Sequence, residues 1–343
     1  MKPALTLCTR YSAKGASSRL RFLNYVPYLE KAGYCVRTDA FFDDAYLERL
    51  YGGGGKSCWS ALKALGGRMI RGIFFPERLV VEYELFPFVP FFWEFLYLRR
   101  RRYVLNFDDN VWEKYANHPK LRDKFDQLIL MADGVIAAND FLCEKIRPLN
   151  PDVIKIPTAI DLERYRRERS PKAEPLTAVW IGTPVTCQYL RDFAPILRQM
   201  NREIPFRLRA IGADPALQID GVDLEVVPWS GEREIAEVSS AHFGIMPLTD
   251  DLFSRGKSAY KIIQYFGCGL PAIASPVGEN CRVVTPDCGI LAETAEDWCR
   301  ALREMADPVR RAELAAGAER RSEAFSLQQC GAEMAVFLRE KLG

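Results

Sequence analysis

Short apolar runs alternate with amphipathic stretches along the whole chain, and this alternation constrains the fold more than any single residue does. The first runs are Leu5 to Cys8, Leu79 to Glu84, Tyr103 to Phe107, Gly134 to Ala137 and Val153 to Ile156. A charged, proline-marked break follows, Arg166 to Pro175. The pattern then restarts with Ala178 to Ile181, Phe206 to Ile211, Leu224 to Val227, Phe243 to Met246, Ala272 to Ala274 and Gly289 to Leu291. Runs this short and continuous read as strands buried on both faces, and parallel strands need helical crossovers between them. The break reads as an interdomain linker. The expectation is an α/β chain with two doubly wound parallel-sheet domains, residues 1–170 and 171–326. A final helix over 327–343 packs back on the first. Ligands of such sheets lie beyond the carboxyl ends of the strands, so two facing sheets leave a central cleft.

Composition narrows the function classes. The 343 residues carry a net charge of +2, which gives no global electrostatic case for nucleic acid. Ten cysteines include no CxxC pair and several sit in apolar runs, the pattern of reduced thiols rather than disulfides or zinc ligands. His118 and His242 are the only histidines, which removes most histidine-based metal and triad schemes. The chain opens on a strand-like run without signal-peptide grammar, and no apolar stretch reaches membrane-spanning length without charges. A cytoplasmic protein is expected. Two stretches add an expectation of peripheral membrane contact. Lys56 to Phe75 contains no acid, and Phe91 to Leu98 runs into Arg99-Arg100-Arg101-Arg102. Aromatic and basic residues mixed this way suit a helix on anionic lipid. A core-facing helix with a solvated arginine end is the alternative.

The segment Arg255 to Gly278 carries most of the chemistry. Read as a helix, it places Lys257, Lys261 and Gln264 within an arc of roughly 60° at about 100° per residue, opposite Ile262, Ile263 and Phe266. Two ammonium groups near a helix start make a diphosphate seat, because amide donors and dipole add to the side-chain charge. A solvated lysine stripe is the other reading. In the first half, Glu84 reads as a strand-end carboxylate, either a general base or positioning group or a solvated acid. Asp108 and Asp109 repel each other directly after a strand. A helix cap accounts for one and leaves the other for an acceptor hydroxyl or donor sugar.

Taken in order, the strand Phe243 to Leu248, the loop Thr249 to Arg255, the lysine-faced helix and GLPAIASPVGEN (269–280) resemble the donor-site segment of family 4 glycosyltransferases. WIGTPVTCQYL (180–190) resembles the first strand and loop of that family's donor domain. Ala132 to Asn139 and Ile156 to Asp161 resemble the last elements of its acceptor domain. The Lys14-Gly15-Ala-Ser17-Ser18-Arg19 stretch stands where the family carries a small-residue loop against donor phosphates and acceptor. The resemblance is strongest over 176–330. It implies GT-B architecture, two Rossmann-like domains facing a central cleft. It implies a retaining, metal-independent enzyme with no cofactor beyond its co-substrate, a UDP- or GDP-sugar. The acceptor would be a hydroxyl of a glycan, a lipid-linked or another molecule.

Residue by residue, the resemblance places Lys257 and Lys261 on the diphosphate, with Lys261 counted as catalytic beside Glu84, Asp108 and Asp109. It places Gln264 at the ribose, where the family has a glutamate, and Gly15, Arg19, Gly182, Thr183 and Arg255 around the donor. Trp229 stands near the base. Gly256 replaces the glutamate near the donor sugar, leaving Asp250 or Asp251 to supply a carboxylate. These departures keep two other readings open: a non-catalytic nucleotide-sugar or glycan-binding subunit, and a UDP-sugar epimerase of the same fold.

Overall fold

The computed structural model describes residues 3–51 and 58–343. The chain divides into two compact units, Met1–Ala159 with Leu327–Gly343, and Ile160–Ser326. In the first, β1 (Ala4–Tyr11), β2 (Cys35–Phe42), β3 (Arg78–Glu82), β4 (Arg102–Phe107), β5 (Gly134–Ala137) and β6 (Val153–Lys155) form one parallel sheet in the order β2-β1-β3-β4-β5-β6. Successive side chains go to opposite faces, as strand geometry requires. Leu79 and Val81 join one buried cluster while Val80 joins the other. The Leu327–Leu342 helix contributes Leu327, Met334, Leu338 and Leu342 to the cluster that holds Leu5, Leu7 and Val104.

The second unit repeats the design with β7 (Thr177–Ile181), β8 (Arg207–Ile211), β9 (Asp223–Val227), β10 (Phe243–Met246), β11 (Ala272–Ala274) and β12 (Gly289–Leu291), ordered β12-β11-β10-β7-β8-β9. This is the strand order of dinucleotide-binding sheets, reversing direction between β7 and β10. Val179 and Ile181 face one core cluster and Ala178 and Trp180 the other.

Two sequence readings are corrected. β2 is absent from the apolar runs because it is an edge strand, paired only with β1, and Arg37, Thr38 and Asp39 interrupt it. The stretch 166–175 is no free linker. Residues 162–167 form a helix, Ser170 N–H donates to Ser239 Oγ at 2.8 Å, and Lys172 Nζ donates to the Ser239 and Ala241 carbonyls at 2.9 and 2.8 Å. Lys172 and Arg169, which suggested solvent, instead satisfy backbone carbonyls of the second unit. Lys56 lies outside the described residues, among which no helix is long and apolar enough to cross a membrane.

Candidate functional site

At the reversal point of the second sheet, β7 is followed directly by Gly182. An added Cβ there would lie 2.1 Å from the Trp180 ring and 2.7 Å from Thr186 Oγ1, so the turn admits only glycine. Thr183 N–H donates to Thr186 Oγ1 at 2.9 Å, which fixes the start of the Pro184–Cys187 turn and the Gln188–Glu203 helix that continues it. Backbone N–H groups at such a helix start attract anions. Gly212, with φ 70°, closes on this turn: an added Cβ would stand 2.5 Å from the Gly182 carbonyl oxygen and 3.1 Å from Trp229 Cβ. The half-exposed indole of Trp229 thus lies beside the strand ends, its Nε1 donating to Glu234 at 2.8 Å.

Lys261 is the second residue of the Tyr260–Gly267 helix, and its Nζ sits 4.1 Å from the centre of the Trp180 ring. It is half-buried and makes no hydrogen bond or ion pair among the described residues. Burial pushes its pKa down to about 7, and the charge of Lys257 acts in the same direction. Lys257 itself is not on that helix. The short Leu252–Arg255 helix, capped by Asp251 accepting from Ser254 N–H at 2.7 Å, ends before it. The chain then turns through Ala259 at a left-handed φ of 52° before the longer helix begins. That conformation costs an L-residue roughly 1–2 kcal/mol. The arc read from spacing is therefore replaced by a turn that brings the Lys257 ammonium over the Phe253 ring, at 4.2 Å, near Lys261.

Other expected donor residues fall differently. Gln264 is only 5% exposed and donates to the Tyr165 hydroxyl at 3.1 Å, buried within its own unit. Arg255 is exposed and held by Asp250 through bonds of 2.6 and 2.8 Å. Asp250 and Asp251 are both engaged, one by Arg255 and one by its cap. A buried carboxylate that the sequence reading missed, Glu279, follows the loop glycine that packs against Arg255. An added Cβ at that Gly278 would be 2.6 Å from the Arg255 carbonyl oxygen. The signal was the glycine directly before an acid in an apolar loop.

In the first unit, the reversal point lies between β1 and β3. Gly15 follows β1, and an added Cβ would meet Tyr11 Cβ at 2.3 Å. Arg19, one helical turn later, donates to the Ala13 carbonyl at 3.1 Å. Asp108 accepts from Ser17 Oγ at 2.6 Å and from the Tyr83 hydroxyl. Tyr83 has a left-handed φ of 59° at the end of β3. The cap position of the Val111–Lys114 turn is Asn110 rather than either aspartate, which corrects the capping reading. Asp109 is half-buried beside Asp108.

Glu84 is corrected most sharply. It is 2% exposed, and its oxygens accept from Lys124 Nζ at 2.7 Å, the Tyr115 hydroxyl at 2.9 Å and Arg10 at 3.4 Å. Lys124 also meets Glu94 at 2.6 Å. Burial lowers the lysine's proton affinity, but the two carboxylates outweigh it and hold the ammonium above its ordinary range. Glu84 is a structural anchor in this network, without exposure or a free lone pair for base catalysis. Glu82, missed by the sequence reading, accepts from Arg10 N–H at 2.7 Å and Ser18 Oγ at 2.6 Å, and burial raises its pKa. Among the described residues no cluster of His, Cys, Asp or Glu is arranged to hold a metal ion.

No protein-family model matches the chain, and no curated protein matches it in sequence. Solved structures of similar shape include sucrose-phosphate synthase from Thermosynechococcus elongatus, 16% identical over 99% of each chain with a TM-score of 0.69. HepE from Anabaena, in complex with UDP, is 13% identical over 98% of this chain and 100% of that one, TM-score 0.72. A glycosyltransferase from Rickettsia africae is 11% identical over 99% of each chain, TM-score 0.68. At these identities the likeness establishes the fold, an α/β chain of GT-B type built from two Rossmann-like domains.

Proposed function

We propose that the protein is a glycosyltransferase that moves a sugar from a nucleotide-sugar donor to a hydroxyl of a glycan, lipid-linked or other acceptor. The observation that carries this reading is Lys261: a half-buried ammonium without a counter-ion among the described residues, at the reversal point of the second sheet, beside a glycine-forced turn and a helix start. Such a group is ready for a diphosphate. Bound phosphate would draw its pKa back up, and charge growing on the departing nucleotide as the glycosidic bond breaks would strengthen the contact in the transition state. Lys257 would add the second cation, Gly182 and Thr183 the backbone donors, and Trp229 a face for the base. HepE, whose structures hold UDP and UDP-glucose, has the same fold.

In this reading Asp108, held by Ser17 and Tyr83, and Asp109 serve the acceptor side, with Gly15 and Arg19 on the adjoining loop. A cavity of about 890 Å³ begins at Ser12 beside that loop and continues along Phe42, Tyr46, Trp59 and Lys63, room for a glycan acceptor. Retention of configuration and independence from metal follow from the family 4 resemblance. With Lys257 and Lys261 at the diphosphate, the chemistry needs no divalent cation. A second reading, a nucleotide-sugar-binding subunit without turnover, is favoured by one observation: Gln264 is committed to Tyr165 and Gly256 offers no carboxylate. A calorimetric screen of UDP- and GDP-sugars, followed by assay of nucleoside diphosphate release, tests both. Binding with release supports transfer, and binding without release under any acceptor supports the subunit. Binding that persists in the Lys257→Ala, Lys261→Ala double variant removes the phosphate seat.

A further inference from the structure

We propose that the exposed faces of the Cys58–Ile73 and Phe91–Leu98 helices form one platform that docks on the surface of an anionic lipid bilayer. The first helix turns its apolar residues outward. Trp59, Leu62, Ile70 and Ile73 are 59 to 78% exposed, and at about 100° per residue they share an arc of roughly 80°. Phe74 continues the stripe and Lys63 lies on the same side. On the second helix Phe92, Trp93 and Leu96 are exposed. The two helices are locked together, so the apolar faces move as one. Tyr97 OH donates to the Met69 carbonyl at 2.9 Å, Arg101 donates to the Gly72 carbonyl at 3.0 Å, and Gly72 lets the Tyr97 ring approach to where an added Cβ would be 2.9 Å away. An outward apolar surface spanning two fixed elements marks an interaction site rather than scattered exposure.

The charges select the occupant. Between Glu48 and Glu77 the sequence has no acid. The structure separates the nearby cations by what they hold. Arg68 and Arg71 pair with Asp39, Arg101 satisfies backbone carbonyls, and Arg102 pairs with Asp133. Lys63, Arg99 and Arg100 are exposed and make no ion pair among the described residues. Tryptophan and phenylalanine flanked by unpaired cations fit the headgroup boundary of an anionic leaflet. Not every residue of the basic run contributes, and the platform serves whatever reaction the protein performs.

The test is sedimentation of the full chain with vesicles of phosphatidylcholine, with and without one-third phosphatidylglycerol. Wild type should bind the anionic vesicles, weakly the neutral ones, and less as salt rises. Arg99→Ala with Arg100→Ala should weaken binding roughly 30-fold. Phe74→Ser with Trp93→Ser should abolish it, while both variants keep the wild-type melting temperature because the altered side chains are exposed. The proposal is overturned if wild type ignores anionic vesicles or if the serine variant binds them as well as wild type does. A concentration-dependent dimer that the serine variant loses, without vesicle binding, would make the face a self-association surface instead.

Discussion

Replacing Lys261 by Met removes one charge and leaves an unbranched side chain of similar length on the Trp180 ring. In the wild type, burial holds the ammonium pKa at about 7 against an ordinary 10.5. The folded group therefore binds its proton more weakly than the unfolded one. Between about pH 7 and 10.5 the unfolded chain holds more protons, so wild-type stability rises with pH through that window and is lowest below it. A shift of this size is worth at most about 5 kcal/mol, and partial exposure of the side chain discounts it. Lys261→Met should thus stabilise the unliganded protein by about 2 kcal/mol at pH 6.5 and by less than about 1 kcal/mol at pH 10. Urea denaturation across that range reads the difference. UDP reverses the sign of the effect. A bound diphosphate raises the Lys261 pKa, so titration of the wild type at pH 8 should take up on the order of one proton. Calorimetry in two buffers of different ionisation enthalpy measures it. In the variant this uptake should vanish, and UDP should bind about 10–150-fold more weakly, the loss of one charged hydrogen bond. A pH-independent stability difference, or a variant that binds UDP like the wild type, refutes the reasoning.

Gly182→Ala should displace the turn against Trp180, with a stability loss of about 1–3 kcal/mol and loss of UDP binding, both visible in a thermal-shift titration. Trp229→Ala should leave the melting temperature close to wild type and weaken UDP by roughly 5–150-fold, measured by calorimetry. Lys124→Met leaves Glu84 and Glu94 facing each other in a buried site, so unfolding free energy should fall by about 3–5 kcal/mol. Adding Glu94→Gln should recover part of that loss in urea denaturation.

Much of the fold was legible because parallel strands buried on both faces must be continuously apolar, as Val135, Ile136 and Ala137 are. β2 was not, since an edge strand tolerates the exposed Arg37 and Thr38, and its Asp39 is held by Arg68 and Arg71, which come from a distant helix. The candidate site was legible where backbone geometry demands a residue type, as at Gly182 beneath Trp180. It was obscured where helix periodicity was taken past its start. Lys257 sits in a turn whose left-handed residue is an alanine, a conformation no pattern of alanines announces. Buried polar networks were the least legible feature. Glu84 looked solvent-facing because its partners Arg10, Tyr115 and Lys124 are distant in sequence, and only the sheet brings them together.

A crystal of the protein grown with UDP tests the central claim most directly, because the claim is a position. The diphosphate should lie within hydrogen-bonding distance of Lys261 Nζ and of the backbone N–H groups at Gly182 and Thr183, with the base towards Trp229. A diphosphate ordered elsewhere, with Lys261 still resting on Trp180 and untouched, would contradict the account.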